Sequence, residues 1–302
     1  MFKGSIVALV TPFSAKNGQI DEVAYKKLVE WQIKSGTNGI VPCGTTGESP
    51  TLSAEEHARV VETCIAAVNK RIPVIAGTGS NSTAEAVAYT KHAAKAGADA
   101  VLVVTPYYNK PTNKGVYLHF KAVAESAKIP VILYNIAGRT AKNIEPEVMA
   151  KLAADCKNIV GVKEASGSLE QMLRIKELCP KNFDLISGDD ALTLPIMAIG
   201  GTGVISVAAN IIPKDIVSLL KAFEDGDLSK ARSVNLKIMP IVRALFIETN
   251  PIPVKTAIAL MGYCDPGLRL PMCAMEDAYL AKLKESMKFY WIGSTGSPSK
   301  GK

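Results

Sequence analysis

Eight short apolar, β-branched runs recur along the first two thirds of the chain, at 5–10, 39–41, 74–76, 100–104, 130–134, 159–162, 185–187 and 203–207. They are apolar at consecutive positions rather than at alternate ones. That pattern belongs to strands of a parallel sheet covered on both faces. Amphipathic stretches separate the runs and carry helix signals. Ser53 and Ser82 each precede a glutamate by three residues, Glu56 and Glu85, the spacing of a capping box. The first opens a stripe of Val60, Val61, Cys64, Ile65 and Val68 at helical period. Gly36 and Gly97 stand where helices should stop before the next strand. Eight β-α units in 302 residues predict an α/β fold, a (β/α)8 TIM barrel. A doubly wound open sheet is the alternative, but no Gly-x-Gly-x-x-Gly follows the first run.

The barrel is expected to occupy residues 1–225. After the eighth run, Ile216, Leu219, Leu220 and Phe223 make one helical stripe, and further helical patterns cover about 227–247 and 274–288. Residues 226–291 therefore read as a C-terminal helical region, and 292–302, rich in Gly, Ser and Lys, as a flexible tail. An apolar content of 48% excludes intrinsic disorder. No uncharged apolar run reaches the ~18 residues of a membrane span, and the start lacks a signal peptide's apolar region. A cytoplasmic location is expected. The six cysteines are scattered with no Cys-x-x-Cys pair, which predicts reduced core thiols. The net charge is +7, but the bases are interleaved with acids, as in Lys26 and Lys27 near Glu22 and Glu30. Nucleic acid is not an expected partner, and small anions stay open.

In such a barrel the chemistry sits at the carboxyl ends of the strands. Lys163 is the notable residue there. It follows an apolar run, and a desolvated neutral amine attacks carbonyls to form a Schiff base. The alternative is an ion pair with Glu164. Gly44-Thr45-Thr46-Gly47 offers hydroxyls and consecutive N–H groups for a carboxylate or phosphate, or is an ordinary turn. Tyr108 and Tyr134 suit proton transfer or simple packing. Arg139, beside Gly138, suits a bidentate carboxylate clamp or a surface ion pair. No His, Cys or carboxylate cluster has metal spacing, and His57, His92 and His119 fall within helical patterns. Neither a metal nor a cofactor is expected.

Four segments together are far more specific than any one: Gly44-Thr45-Thr46-Gly47-Glu48, Thr105-Pro106-Tyr107-Tyr108, Tyr134-Asn135 with Gly138-Arg139-Thr140, and Gly161-Val162-Lys163-Glu164. In this order and spacing the chain resembles the dihydrodipicolinate synthase family of the pyruvate-dependent class I aldolases. The likeness runs from Met1 to about Met287 and includes Asn250-Pro251-Ile252-Pro253-Val254-Lys255. It implies a lyase of lysine and diaminopimelate biosynthesis. Lys163 would form a Schiff base with pyruvate, and the enamine would attack L-aspartate 4-semialdehyde. Tyr134 would be the general acid/base, and Thr45 and Tyr108 a proton relay, with Tyr108 supplied by a neighbouring subunit of a homotetramer built as a dimer of dimers. Thr46 with Thr45 would hold the pyruvate carboxylate, Arg139 the semialdehyde's, and backbone around Gly188 and Ile205 would line the pocket.

One departure is visible. Position 137 is Ala where family members commonly carry Pro, which with Gly138 predicts a looser segment before Arg139. The family also implies an allosteric site for L-lysine at Ser49, His57, Asn81, Glu85 and Tyr107, although Ala54 stands where some sensitive members have His. Two rivals remain. A lyase for N-acetylneuraminate or 2-keto-3-deoxy sugar acids would have no use for Arg139. A non-catalytic lysine-binding paralogue would have no need of Thr45, Tyr108, Tyr134 and Lys163 together.

Overall fold

The computed structural model describes residues 2–290. The strands are β1 (Gly4–Ala8), β2 (Gly39–Val41), β3 (Ile75–Gly77), β4 (Ala100–Val104), β5 (Val131–Asn135), β6 (Ile159–Glu164), β7 (Asp184–Ser187) and β8 (Gly203–Ser206). All their ladders are parallel, in the order β2-β1-β8-β7-β6-β5-β4-β3, and a single bridge between Ile40 and Val74 closes the ring. This is the (β/α)8 barrel, and every expected run supplies one of its strands.

Around the barrel lie α1 (Glu22–Lys34), α2 (Ala54–Val68), α3 (Thr83–Ala96), α4 (Asn113–Ser126), α5 (Ala137–Thr140), α6 (Pro146–Asp155), α7 (Leu169–Leu178), α8 (Thr193–Ala198) and α9 (Pro213–Glu224). The continuous apolar runs resolve into two sets by alternation. Ile6, Ala8, Val41, Leu102, Ile132, Tyr134, Ile186 and Ile205 point inward and fill the barrel. Val7, Leu9, Ile40, Val101, Val103, Leu133, Val162 and Leu185 point outward against helices. Each such side chain contributes about 1.5–3 kcal/mol by leaving water. That is why both faces must be apolar and why a period of two is invisible in the sequence.

The C-terminal region holds α10 (Leu228–Ala244), α11 (Ile252–Leu260) and α12 (Asp277–Lys288). Helix α10 packs on α9, and α12 on α10 and α11. Helices α10 and α12 lie within the expected patterns, whereas α11 was not anticipated: Pro251 and Pro253 mask a helix that tolerates proline in its first turn. The tail expected from 292 onward lies outside the described residues. Among those residues no helix is long and apolar enough to cross a membrane.

Three local expectations need correction. Ser53 and Glu56 form a complete capping box, but at Ser82 only half of one exists. The Glu85 carboxylate accepts instead from Ser80 Oγ, at 2.6 Å. Lys26 does pair with Glu22, but Glu30 pairs with Arg71, from the loop after α2. The segment before Arg139 is a helical turn rather than a loosened loop. Arg139 and Thr140 N–H groups donate to Ile136 O at 3.0 and 3.1 Å, so the missing proline is compensated by hydrogen bonds.

Candidate active site

At the carboxyl end of the barrel, a cavity of ≈ 390 Å³ is lined by residues that include Thr45, Tyr134, Arg139, Ser49, Glu85 and Tyr107. Tyr134 and Lys163 are direct cross-strand partners on β5 and β6. Lys163 lies within its strand, not just past it, and points into the barrel with 6% of its surface exposed. Its Nζ is 4.3 Å from the centroid of the Tyr134 ring. No carboxylate among the described residues comes within ion-pair distance of it. The alternative of a Glu164 pair fails because adjacent residues on a strand face opposite sides. Glu164 points outward and is bonded to Asn135, Ser166 and Gln171.

Gly188, at the end of β7, leaves room for the lysine. A Cβ there would fall 3.1 Å from Lys163 Cε and 2.6 Å from Ala165 Cβ. Ile205 belongs to the inner barrel cluster with Tyr134. Neither Gly188, Ile205, Lys163 nor Thr46 lines the cavity itself. Lys163 meets the lining through Tyr134, over whose ring its Nζ lies.

The 44–49 turn closes on itself. Gly47 and Ser49 N–H groups donate to Gly44 O, and Glu48 N–H to Thr45 O. Among the described residues, the Thr45 and Thr46 N–H groups have no partner, which leaves two adjacent donors for an anion. Thr46 is buried and its Oγ1 accepts from Asn250 Nδ2 at 3.1 Å. Asn250 O in turn accepts from the Arg139 guanidinium at 3.2 Å, so one residue links both expected carboxylate sites. Sequence reasoning missed that role, since 204 residues separate Asn250 from Thr46.

Tyr108 stands apart within the chain: it is 89% exposed, has a left-handed backbone and does not line the cavity. Of the five residues expected for lysine, Ser49, Glu85 and Tyr107 line the cavity. His57 is buried behind it, stacked on Tyr89 with centroids 4.2 Å apart and its Nε2 2.8 Å from Gly77 O. Burial holds the His57 imidazole below the usual histidine range. Asn81 is not in the lining, and its carbonyl accepts from Asn109 Nδ2. Tyr89 and Ser80 line the same cavity and were missed. A signal existed for Tyr89, which follows Glu85 by one turn of α3.

The sequence model described as the dihydrodipicolinate synthetase family matches residues 1–289. The chain belongs to the dihydrodipicolinate synthetase family. It is similar to the 4-hydroxy-tetrahydrodipicolinate synthase of Endomicrobium trichonymphae, with 59% identity over 97% of this chain and 99% of that one. Among solved structures, the dihydrodipicolinate synthase of Acinetobacter baumannii, complexed with pyruvate, aligns with a TM-score of 0.93 at 45% identity, over 97% of this chain and 100% of the other. The synthase of Cyanidioschyzon merolae, with lysine bound, aligns with a TM-score of 0.93 at 42% identity, over 96% and 99%. The dihydrodipicolinate synthetase family is thus reached from the fold and from the sequence alike.

Proposed function

We propose that Lys163 carries the reaction of this chain as an imine-forming amine. The chain is a lyase with 4-hydroxy-tetrahydrodipicolinate synthase activity, in lysine and diaminopimelate biosynthesis. The observation that carries the residue assignment is the pair at the barrel's open end: a buried lysine without a carboxylate partner, set against a tyrosine on the next strand.

In this reading, Lys163 Nζ attacks the ketone carbon of pyruvate, a C–N bond forms and water leaves. Loss of a methyl proton gives an enamine, whose carbon attacks the aldehyde of L-aspartate 4-semialdehyde. Tyr134, against the amine, moves protons at the imine. The unpartnered N–H groups of Thr45 and Thr46 hold the pyruvate carboxylate, and Thr45 also begins the proton path. Arg139, anchored by Asn250 O, binds the carboxylate of the semialdehyde. Gly188 and Ile205 shape the floor behind Lys163. Tyr108 completes the relay from a second copy in a homotetramer, and its exposure supports that placement. The pyruvate found with the Acinetobacter relative supports the first substrate.

L-Lysine is the proposed inhibitor, at the part of the cavity formed by Ser49, Glu85 and Tyr107, with His57 and Asn81 behind and beside it. The lysine found with the Cyanidioschyzon relative supports this. The proposed catalytic unit is residues 1–225 and the proposed C-terminal region residues 226–291, whose α10 packs on α9, and the proposed location is the cytoplasm.

Borohydride reduction in the presence of pyruvate, followed by peptide mapping, should place one adduct on Lys163. No adduct, or one elsewhere, overturns the mechanism. Arg139→Ala should raise KM for the semialdehyde about 100-fold while pyruvate trapping persists. A lyase for sugar acids would be indifferent to that change.

A further inference from the structure

The residues that follow the reactive pair, Asn135 on β5 and Glu164 on β6, are themselves partners in register. By alternation they face the opposite side, outward beneath the helices, and both are fully buried. The two Glu164 oxygens accept from Asn135 Nδ2 at 3.2 and 3.0 Å, Ser166 N at 2.7 Å and Gln171 Nε2 at 3.0 Å. Asn135 Nδ2 also donates to Asn143 Oδ1 at 2.8 Å, and its Oδ1 accepts from Ile144 N at 3.0 Å. Asn143 Nδ2 closes the ring by donating to Gln171 Oε1 at 2.8 Å.

This carboxylate is buried with neutral donors only, an uncommon arrangement. Apolar side chains of the same volume would serve cohesion at least as well. What a polar network of fixed donor and acceptor polarity adds is a unique register. Register is at risk here, because the β5–β6 ladder shifts between Val131 and Ile132: Val131 pairs with Ile159, but Ile132 with Gly161. A further slip of one residue would turn Lys163 out of the barrel, since side chains alternate between faces.

We infer that Asn135 and Glu164 are positioning residues that lock β5 against β6 and so aim Lys163 at Tyr134. The inference rests on Lys163 being the imine-forming amine of the proposed function. Neither Asn135 nor Glu164 touches the cavity. Their effect is therefore confined to the geometry of the residue before each of them.

The test compares the full-length protein with Glu164→Gln, Asn135→Asp and the double variant, all read per folded enzyme. Glu164→Gln turns an amide N–H₂ toward donors, and Asn135→Asp sets two carboxylates together. Each single change should slow borohydride trapping of pyruvate and lower kcat by about 10–100-fold, with KM for the semialdehyde within about twofold. In the double variant the carboxylate lies on β5 and the amide on β6, so the contact between the two residues is restored in reverse while Asn143 Oδ1 loses its Asn135 donor. Trapping there should recover in part, to a rate above that of the worse single variant. If Glu164→Gln does not accumulate, Gln171→Met removes one of the three donor groups and should slow trapping a few-fold at unchanged KM. Single variants trapped at the parent rate overturn the inference, and so does a double variant no better than the worse single. If the parent protein is not trapped at Lys163, the underlying mechanism fails first, and that outcome is visible before any variant is made.

Discussion

Two lysines are buried among the described residues, one in the barrel and one in the C-terminal region, and they differ in what faces them. Lys255, on α11, is fully buried, and its Nζ lies 2.5 Å from Glu48 Oε1 in the β2 turn and 3.9 Å from the Phe13 ring centroid. Burial pushes its ammonium below the usual lysine range, with Glu48 pulling it back. Arg269 N–H binds the other Glu48 oxygen, and its guanidinium bonds both Glu56 oxygens at 2.6 Å. The result is a clasp from the C-terminal region to the turn that holds Thr45 and Thr46. Lys163 is almost as buried but faces a tyrosine ring and no carboxylate. Burial alone therefore does not single out Lys163 for the role proposed for it. The absence of a compensating charge does, because that amine remains available to a substrate carbonyl.

The sharpest separation of the two comes from Lys163→Met and Lys255→Met. Lys163→Met should lower turnover on the order of 10⁴-fold or more, with stability equal to the parent or higher, since a buried amine without a carboxylate partner is replaced by an apolar group of similar size. A coupled assay beside denaturant unfolding would read both, and a cooperative protein with much residual activity would break the comparison. Lys255→Met should do the reverse in kind and destabilise the fold by about 3–5 kcal/mol, because Glu48 is left buried and unpaired. Glu48→Leu combined with Lys255→Met should regain much of that loss in the same unfolding experiment. If the double variant is no more stable than either single, the pair is not the clasp described.

A smaller effect tests a third buried cation-former. His119 on α4 accepts or donates one hydrogen bond, with Thr83 Oγ1 at 3.0 Å, while its Nε2 has no partner, and burial holds its imidazole down to about 4. The unfolded chain takes up that proton near pH 6.5, before the folded one does. Stability from this group is thus complete above pH ~6.5 and is lost as pH falls toward about 4, by about 3 kcal/mol at most. Unfolding of His119→Gln across that range should show a flatter acid limb than the parent. An unchanged slope would place the acid sensitivity in other groups.

How much of this was legible in sequence depended on distance along the chain. Strand positions were read to within one or two residues because apolar content is set locally. Lys163 was visible for the same reason, as a cation ending an apolar run. The half-formed cap at Ser82 was misread, because whether Glu85 turns back on its own helix or out to Ser80 is decided by rotamer and not by spacing. Helix α11 was hidden by its prolines. The Glu48–Lys255 clasp and the Asn250 link were out of reach, since they join residues 207 and 204 positions apart.

The amino-acid sequence by itself determined the eightfold β-α order, the residue types at the strand ends and the family to which the chain belongs. These follow from hydrophobic period and from motifs that are contiguous in the chain. Only the tertiary structure decided which lysine is paired and which is bare, which glutamate serves a helix and which a cavity, and how β5 is registered against β6. Those choices depend on which side chains the closed barrel brings together, and no local pattern encodes a contact made two hundred residues away.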